Sequence, residues 1–387
     1  MIRENNIITV EMKKPVYGGC ALGFHDGMAI LVPRALPGET LRVRIDRVHK
    51  DYCTGVIDSI LAGSDRRIVP ECVHFGRCGG CSYLDVPYEH ELEIKKSVLG
   101  DNLARIARLE PSRIPEIEIL SAARHNYRSH ASVKVRDGSA GFYRKGSNEL
   151  VPFAGAGCLL LADPLNEFLG RGIDGVTELR IAADAGGKIV TSLGGDRLVT
   201  EKINGLTYRR AIDQFFQANR LLRHGMLKKV KELAGITRDD TFLDIGCGVG
   251  FFSLFLADSA GHGTGVDING ASVSMARKNA RLNNIGNLDF KAMPASMIHP
   301  SRAAPRVVVV DPPRAGIDRK ARRTLAALNP ERILYVSCNP ATFSRDAKDL
   351  VGAGYTLDAL SLIDMFPCTH HIEVISRFNR GVSGPPA

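Results

Sequence analysis

The chain has 387 residues, 44% of them hydrophobic, which is enough to fill more than one core and too many for a disordered chain. With 51 basic against 42 acidic residues the formal charge is +9, a moderate excess that suits a polyanionic partner without requiring one. No run of about 18 apolar residues and no secretory leader pattern is present, so the expectation is a cytoplasmic protein with no membrane span. In that compartment nine cysteines read as ligands, nucleophiles or core fillers rather than disulfides.

Residues 1–62 alternate short apolar runs with Gly, Asp and Pro turns, as in A-I-L-V-P and T-L-R-V-R-I-D-R-V. This pattern predicts a small antiparallel barrel. Arg42, Arg44, Arg47 and Lys50 give it either a basic binding face or ordinary solvated strand faces. Next comes P-E-C-V-H-F-G-R-C-G-G-C, in which Cys72, Cys78 and Cys81 follow C-x5-C-x2-C. Glycines let such a loop fold tightly enough for three thiolates to meet at one metal. Cys158, on a later Gly-rich loop, is the candidate fourth ligand. The spacing admits either iron–sulfur or tetrahedral zinc, with His74 as a further zinc candidate.

Residues 87–109 read as a charged amphipathic helix. From 115 to about 212 the pattern turns to strands, interrupted by one helix near 159–171. R-H-N-Y-R-S-H and G-F-Y-R-K mingle rings with cations, which suits unpaired RNA or plain cross-strand packing.

The C-terminal half alternates helix and strand. A helix near 219–233 precedes T-F-L-D-I-G-C-G-V-G, a strand that ends in Gly246, Gly248 and Gly250. A second strand, T-G-V-D-I-N, ends in Asp267, whose carboxylate can accept from two ribose hydroxyls. This is a doubly wound α/β unit, and D-x-G-x-G-x-G with a downstream acid favours S-adenosylmethionine over NAD. V-V-V-V-D-P-P-R (307–314) and I-L-Y-V-S-C-N-P (333–340) are β-branched runs that stop at Pro-punctuated turns, so Asp311 and Cys338 should share a crevice beyond the strand ends. A last antiparallel hairpin over 356–378 returns Glu373 towards them.

A thiol, a carboxyl base and a sulfonium site together fit one reaction. Carbon 5 of uracil is a poor nucleophile until a thiolate adds at C6, and the C5 proton must then leave for the thiol to be expelled. Cys338 is the candidate nucleophile and Glu373 the candidate base. A base within folded RNA would have to be flipped out to be reached.

Two resemblances sharpen this reading. Residues 18–40, with Y-G-G and L-P-G-E, resemble the TRAM domain, an OB-like RNA-binding barrel. F-F-Q-A-N (215–219), D-I-G-C-G-V-G-F-F (244–252), D-P-P-R-A-G (311–316), S-C-N-P-A-T-F-S-R-D (337–346) and D-M-F-P-C-T-H-H-I-E (364–373) resemble the motif set of the RNA uracil-C5 methyltransferases. The resemblance implies that Cys338 and Glu373 are catalytic. It implies that Gln217, Ile245, Gly246, Gly248, Asp267 and Asp311 bind S-adenosylmethionine, and that Cys72, Cys78, Cys81 and Cys158 hold a 4Fe–4S cluster. It implies a monomeric multidomain α/β protein: a TRAM-like OB barrel (1–62), a β-rich RNA-binding domain with the cluster loop (63–215) and a Rossmann-like methyltransferase domain (216–380). The expected substrate is 23S rRNA, of the uridine-1939 class, with a tRNA uridine as the alternative. An exocyclic-amine methyltransferase and a non-catalytic RNA-binding protein are the competing readings. Phe251 where Asn is usual, Asp267 for the more usual Glu, and K-A-M-P-A-S-M (291–297) depart from the family pattern and predict weaker cofactor contacts.

Overall fold

The computed structural model describes residues 2–153, 155, 157–299 and 304–381. Strands β1 (Ile7–Val16), β2 (Cys20–His25), β3 (Met28–Pro33), β4 (Thr40–Val48) and β5 (Tyr52–Ala62) form a closed barrel in the order β1-β2-β3-β5-β4. The alternation in β4 explains how: Leu41, Val43 and Ile45 point into the core while Arg42 and Arg44 are exposed. Helix α1 (Tyr88–Asn102) follows, burying Ile94, Val98 and Leu99 on one face.

Strand β6 (Ile117–Leu120) comes next, then β7 (His130–Arg136), β8 (Ser139–Tyr143) and β9 (Leu150–Pro152). Helix α2 (Asp163–Leu169) is shorter than the sequence suggests, with Pro164 in its first turn and Gly170 at its end. With β10 (Glu178–Ala183) and β11 (Ile189–Thr191), three of the preceding strands build a sheet ordered β11-β10-β7-β8-β9. Strands β12 (Leu198–Ile203) and β13 (Leu206–Ala211) form a separate hairpin.

The remaining elements are α3 (Arg223–Ala234), β14 (Thr241–Ile245), α4 (Phe251–Leu256), β15 (His262–Asp267), α5 (Gly270–Leu282), β16 (Leu288–Ala292), β17 (Val307–Val310), α6 (Arg319–Leu328), β18 (Arg332–Ser337), α7 (Pro340–Gly352), β19 (Tyr355–Ile363) and β20 (Glu373–Arg380). Their sheet runs β16-β15-β14-β17-β18-β20-β19-β6. All four valines of β17 are buried, as a central parallel strand covered on both faces requires. The order reverses between β14 and β17, and that switch point opens the crevice in which such folds bind ligands. Strand β6 pairs in parallel with β19. Its four residues show a strand in the sequence but not which sheet it joins.

Contacts divide the chain into two compact units. One comprises Met1–Asp101, Phe142–Val151 and Phe366–His371, and the other Asn102–Gly141, Pro152–Met365 and Ile372–Ala387. Among the described residues no helix is long and apolar enough to cross a membrane.

In the first unit one ion cluster ties the barrel to the segment after it. The fully buried Glu39 accepts a bidentate pair from Arg67, Nε to Oε1 at 2.6 Å and Nη2 to Oε2 at 2.8 Å, and also the amide of Leu36. Arg67 Nη1 reaches Asp85 at 2.6 Å. Burial alone would raise the Glu39 pKa, but the Arg67 and backbone donors hold it below its usual value. A depressed carboxyl stabilises the fold above its unfolded pKa, and that contribution is lost as pH falls through the folded value. Arg67→Ala strands a buried carboxylate and should cost about 3–5 kcal/mol at neutral pH. In urea unfolding the gap between wild type and variant should narrow as pH drops below about 4.3. A gap that does not change with pH would contradict this.

Candidate active site

Apart from the cysteine loop, the candidate site residues all belong to the second unit. The crevice begins where β14 ends. Gly246, Gly248 and Gly250 have φ of +82°, +54° and +92°, and the chain then enters α4. At Gly246 a Cβ would lie 2.3 Å from the Asp311 carbonyl oxygen, so the glycine loop and the D-P-P-R turn can approach only if position 246 has no side chain. A Cβ at Gly248 would meet nothing within 4 Å, so the loop faces open space there. Asp267, at the end of β15, accepts from the amides of Gly248 (3.0 Å) and Asn269 (2.7 Å). Each of its oxygens keeps a second lone pair for a ligand hydroxyl. Ile245 and Gln217 are buried, and the Gln217 carbonyl accepts from Arg223 Nε at 2.6 Å. Open space above the loop, with an acid beside it, fits an adenosyl ligand.

Departures from the family pattern also have a structural place. Phe251 is buried edge-on against Phe216 and Phe252, with centroids 5.4 Å and 5.0 Å away, so it is a packing residue here. Lys291 is exposed near the end of β16.

The chemistry-bearing pair follows from register. Strand β18 runs antiparallel to β20 with Ser337 opposite Val374. The ladder ends there: Cys338 is the residue just past β18, Glu373 is the first residue of β20, and the Glu373 charge acts on the Cys338 thiol. Strand β17 lies on the other side of β18, with Val310 beside Tyr335, and delivers Asp311 to the same strand ends.

The two Pro-punctuated turns interlock. Asn339 caps α7 by accepting from Ala341 N at 3.0 Å, while its Nδ2 and the Thr342 hydroxyl both donate to the Arg314 carbonyl. The buried Asp346 accepts from Tyr335 OH at 2.6 Å and from the amide of Ile317 at 3.1 Å. The first turn is therefore pinned to the helix that follows Cys338.

Electrostatics give each group its resting state. Loss of water raises Asp244 to about 7, partly opposed by a hydrogen bond from Ser253, and raises Asp311 to about 8 with the Asp244 and Asp267 charges adding to it. Burial, then Asp311, hold Glu373 well above the usual carboxyl range. Burial and the Glu373 and Asp311 charges push the Cys338 thiol up to about 11, and Arg314 is the charge that pulls it back down. Arg314 likewise favours the ionised form of Glu373. Sequence reasoning missed Arg314 and Asp244 as members of the site. Both lie inside the quoted motifs, but only the fold shows that Arg314 acts on Cys338 and Glu373.

In the first unit Cys72, Cys78 and Cys81 are half-buried on one loop, and Cys158 belongs to the second unit. The Gly80 amide donates to Cys78 Sγ at 3.4 Å. Burial, and less strongly the Cys72 charge, raise the Cys78 thiol. Among the described residues no group of three or more His, Cys, Asp or Glu side chains is placed to hold a metal ion.

The sheet order and glycine loop define a methyltransferase fold. The model for a methyltransferase domain matches residues 236–302, and that for tRNA (uracil-5-)-methyltransferase matches residues 298–379. An RNA methyltransferase of Aquifex aeolicus, itself uncharacterized, is 33% identical, with 95% of this chain and 97% of the relative covered. One from Caldanaerobacter subterraneus is 30% identical over 96% of this chain and 97% of its own. Among solved structures, the tRNA (uracil-54, C5)-methyltransferase of Pyrococcus abyssi in complex with S-adenosyl-L-homocysteine superposes with a TM-score of 0.73 at 22% identity, covering 95% of this chain and 100% of that one. The chain belongs to the RNA uracil-C5 methyltransferase family and is an S-adenosylmethionine-dependent enzyme.

Alkylation of Cys338 by iodoacetamide, followed by peptide mass spectrometry on the RNA-free protein, should be slow at pH 8 and rise steeply towards pH 10. Arg314→Ala, which removes the favourable charge, should slow it further at each pH. Faster alkylation in the variant would contradict the assigned role of Arg314.

Proposed function

We propose that this protein methylates C5 of a uridine in 23S rRNA through a covalent Cys338–C6 adduct. What supports the reading is that Cys338, Asp311 and Glu373 stand at neighbouring strand ends, with the Glu373 and Asp311 charges acting on the Cys338 thiol. Bound S-adenosylmethionine supplies the methyl as a sulfonium electrophile. Gln217, Ile245, Gly246, Gly248, Asp267 and Asp311 hold it at the β14–β17 switch point.

The Cys338 thiol loses its proton to water, aided by Arg314, and its sulfur bonds to C6. The C5–C6 π pair moves onto C5 as an enolate, and C5 takes the methyl. Glu373, in the carboxylate form that Arg314 favours, then removes the C5 proton. The pair left behind restores the C5–C6 double bond as the Sγ–C6 bond breaks.

The closed N-terminal barrel, read as TRAM-like, and the +9 charge support RNA as the partner of a cytoplasmic monomer. A 4Fe–4S cluster on Cys72, Cys78, Cys81 and Cys158 belongs to the same reading. The donor chemistry supports it, with three thiols on one glycine-rich loop and an amide already donating to Cys78 sulfur, and the cluster would brace that loop.

Removing the base should trap the enzyme. Glu373→Gln incubated with S-adenosylmethionine and a 23S rRNA fragment of ordinary uridine should accumulate a methylated, denaturation-resistant adduct and lose at least about 100-fold in turnover. Cys338→Ala should give neither adduct nor product. Product from Cys338→Ala would sink the covalent mechanism, and an adduct on tRNA but not on 23S rRNA would overturn the substrate.

A further inference from the structure

Beneath the Gln217 segment lies a buried charge triad that the reaction above does not use. Arg210 on β13 is 0% exposed, Arg223 at the start of α3 is 3% exposed and Glu201 on β12 is 5% exposed. Arg223 is fully engaged: Nε donates to the Gln217 carbonyl at 2.6 Å, Nη1 to Glu201 Oε2 at 2.8 Å and Nη2 to Ser129 Oγ. Arg210 is not. Its three guanidinium nitrogens lie beyond hydrogen-bond distance of any partner, and its one ion pair, to Glu201 Oε1, is long at 3.6 Å.

A guanidinium buried this way is costly, and replacing it with an apolar side chain of similar volume is expected to be neutral or stabilising. Packing alone therefore gives no reason for it. What it does touch is informative. Arg223 and Arg210 lie 4.9 Å and 5.6 Å from the ring centroid of Phe216, the residue before Gln217. Phe216 packs edge-on against Phe251, the first residue after the glycine loop, and Tyr208 OH donates to the Phe251 carbonyl at 3.2 Å. The triad thus grips the Gln217 segment and joins it to the start of α4. It also carries two positive charges against one negative, a surplus that a dry site does not screen.

We propose that Arg210, Glu201 and Arg223 are positioning residues that set Gln217 and bias its segment towards the anionic, amino-acid end of the cofactor. The proposal rests on the reading of Gln217 as a cofactor residue. It separates two ligands by chemistry: S-adenosylhomocysteine has the amino-acid carboxylate, and methylthioadenosine lacks it.

The test is calorimetric titration of the full-length protein with both ligands, with melting temperature measured alongside. Arg210→Met should melt no lower than wild type, bind S-adenosylhomocysteine at least tenfold more weakly and bind methylthioadenosine unchanged. Arg223→Lys keeps the charge but loses the planar fork on Gln217 and Glu201, and should show the same selective loss. Unchanged S-adenosylhomocysteine affinity in both variants, equal weakening of both ligands, or failure of Arg210→Met to fold would each overturn the proposal. Wild-type protein that bound neither ligand would overturn the functional reading itself, an outcome distinct from all of these.

Discussion

The site depends on keeping carboxyl groups out of water at one end of the strands of a mixed sheet. Asp244, Asp311 and Glu373 reach that end from three different strands, and each is raised because the protein replaces the water that would solvate its charge. The same environment holds Cys338 as a thiol. In the absence of ligands the crevice therefore disfavours charge on each of these groups. Cationic charge is what shifts it, and Arg314 is the cation the chain itself supplies.

Holding that end requires backbone to approach backbone. Gly246 against the Asp311 carbonyl is the tightest instance, since any side chain at 246 would force β14 and the D-P-P-R turn apart. The turn is held again from the far side by Asn339, Thr342 and Asp346, all on or capping α7. Each motif thus contributes geometry to another. Beside Gln217, Phe216 packs on Phe251 and so connects the glutamine segment to the start of α4.

Much of this could be read from the residues. Period-two alternation in T-L-R-V-R-I-D-R-V announced the barrel, and a run of four valines announced a strand buried on both faces. The crevice was legible because strand ends in a doubly wound fold all point one way. Three things were not legible. The pairing of β6 with β19 joins residues far apart in sequence, and a four-residue strand carries no mark of its partner. Arg314 reads as an ordinary turn cation until the fold sets it beside Cys338 and Glu373. Arg210, inside T-Y-R-R-A, looks like a solvated strand residue, and only burial exposes its missing partners.

The most direct test is to trap the adduct. Purified protein would be mixed with S-adenosylmethionine and a 23S rRNA fragment containing 5-fluorouridine, and the denatured product examined by mass spectrometry. Fluorine at C5 cannot leave as a proton, so the adduct should persist, carry one methyl and map to Cys338. A protein with cofactor demonstrably bound that forms no adduct on 23S rRNA or tRNA would contradict covalent catalysis by Cys338.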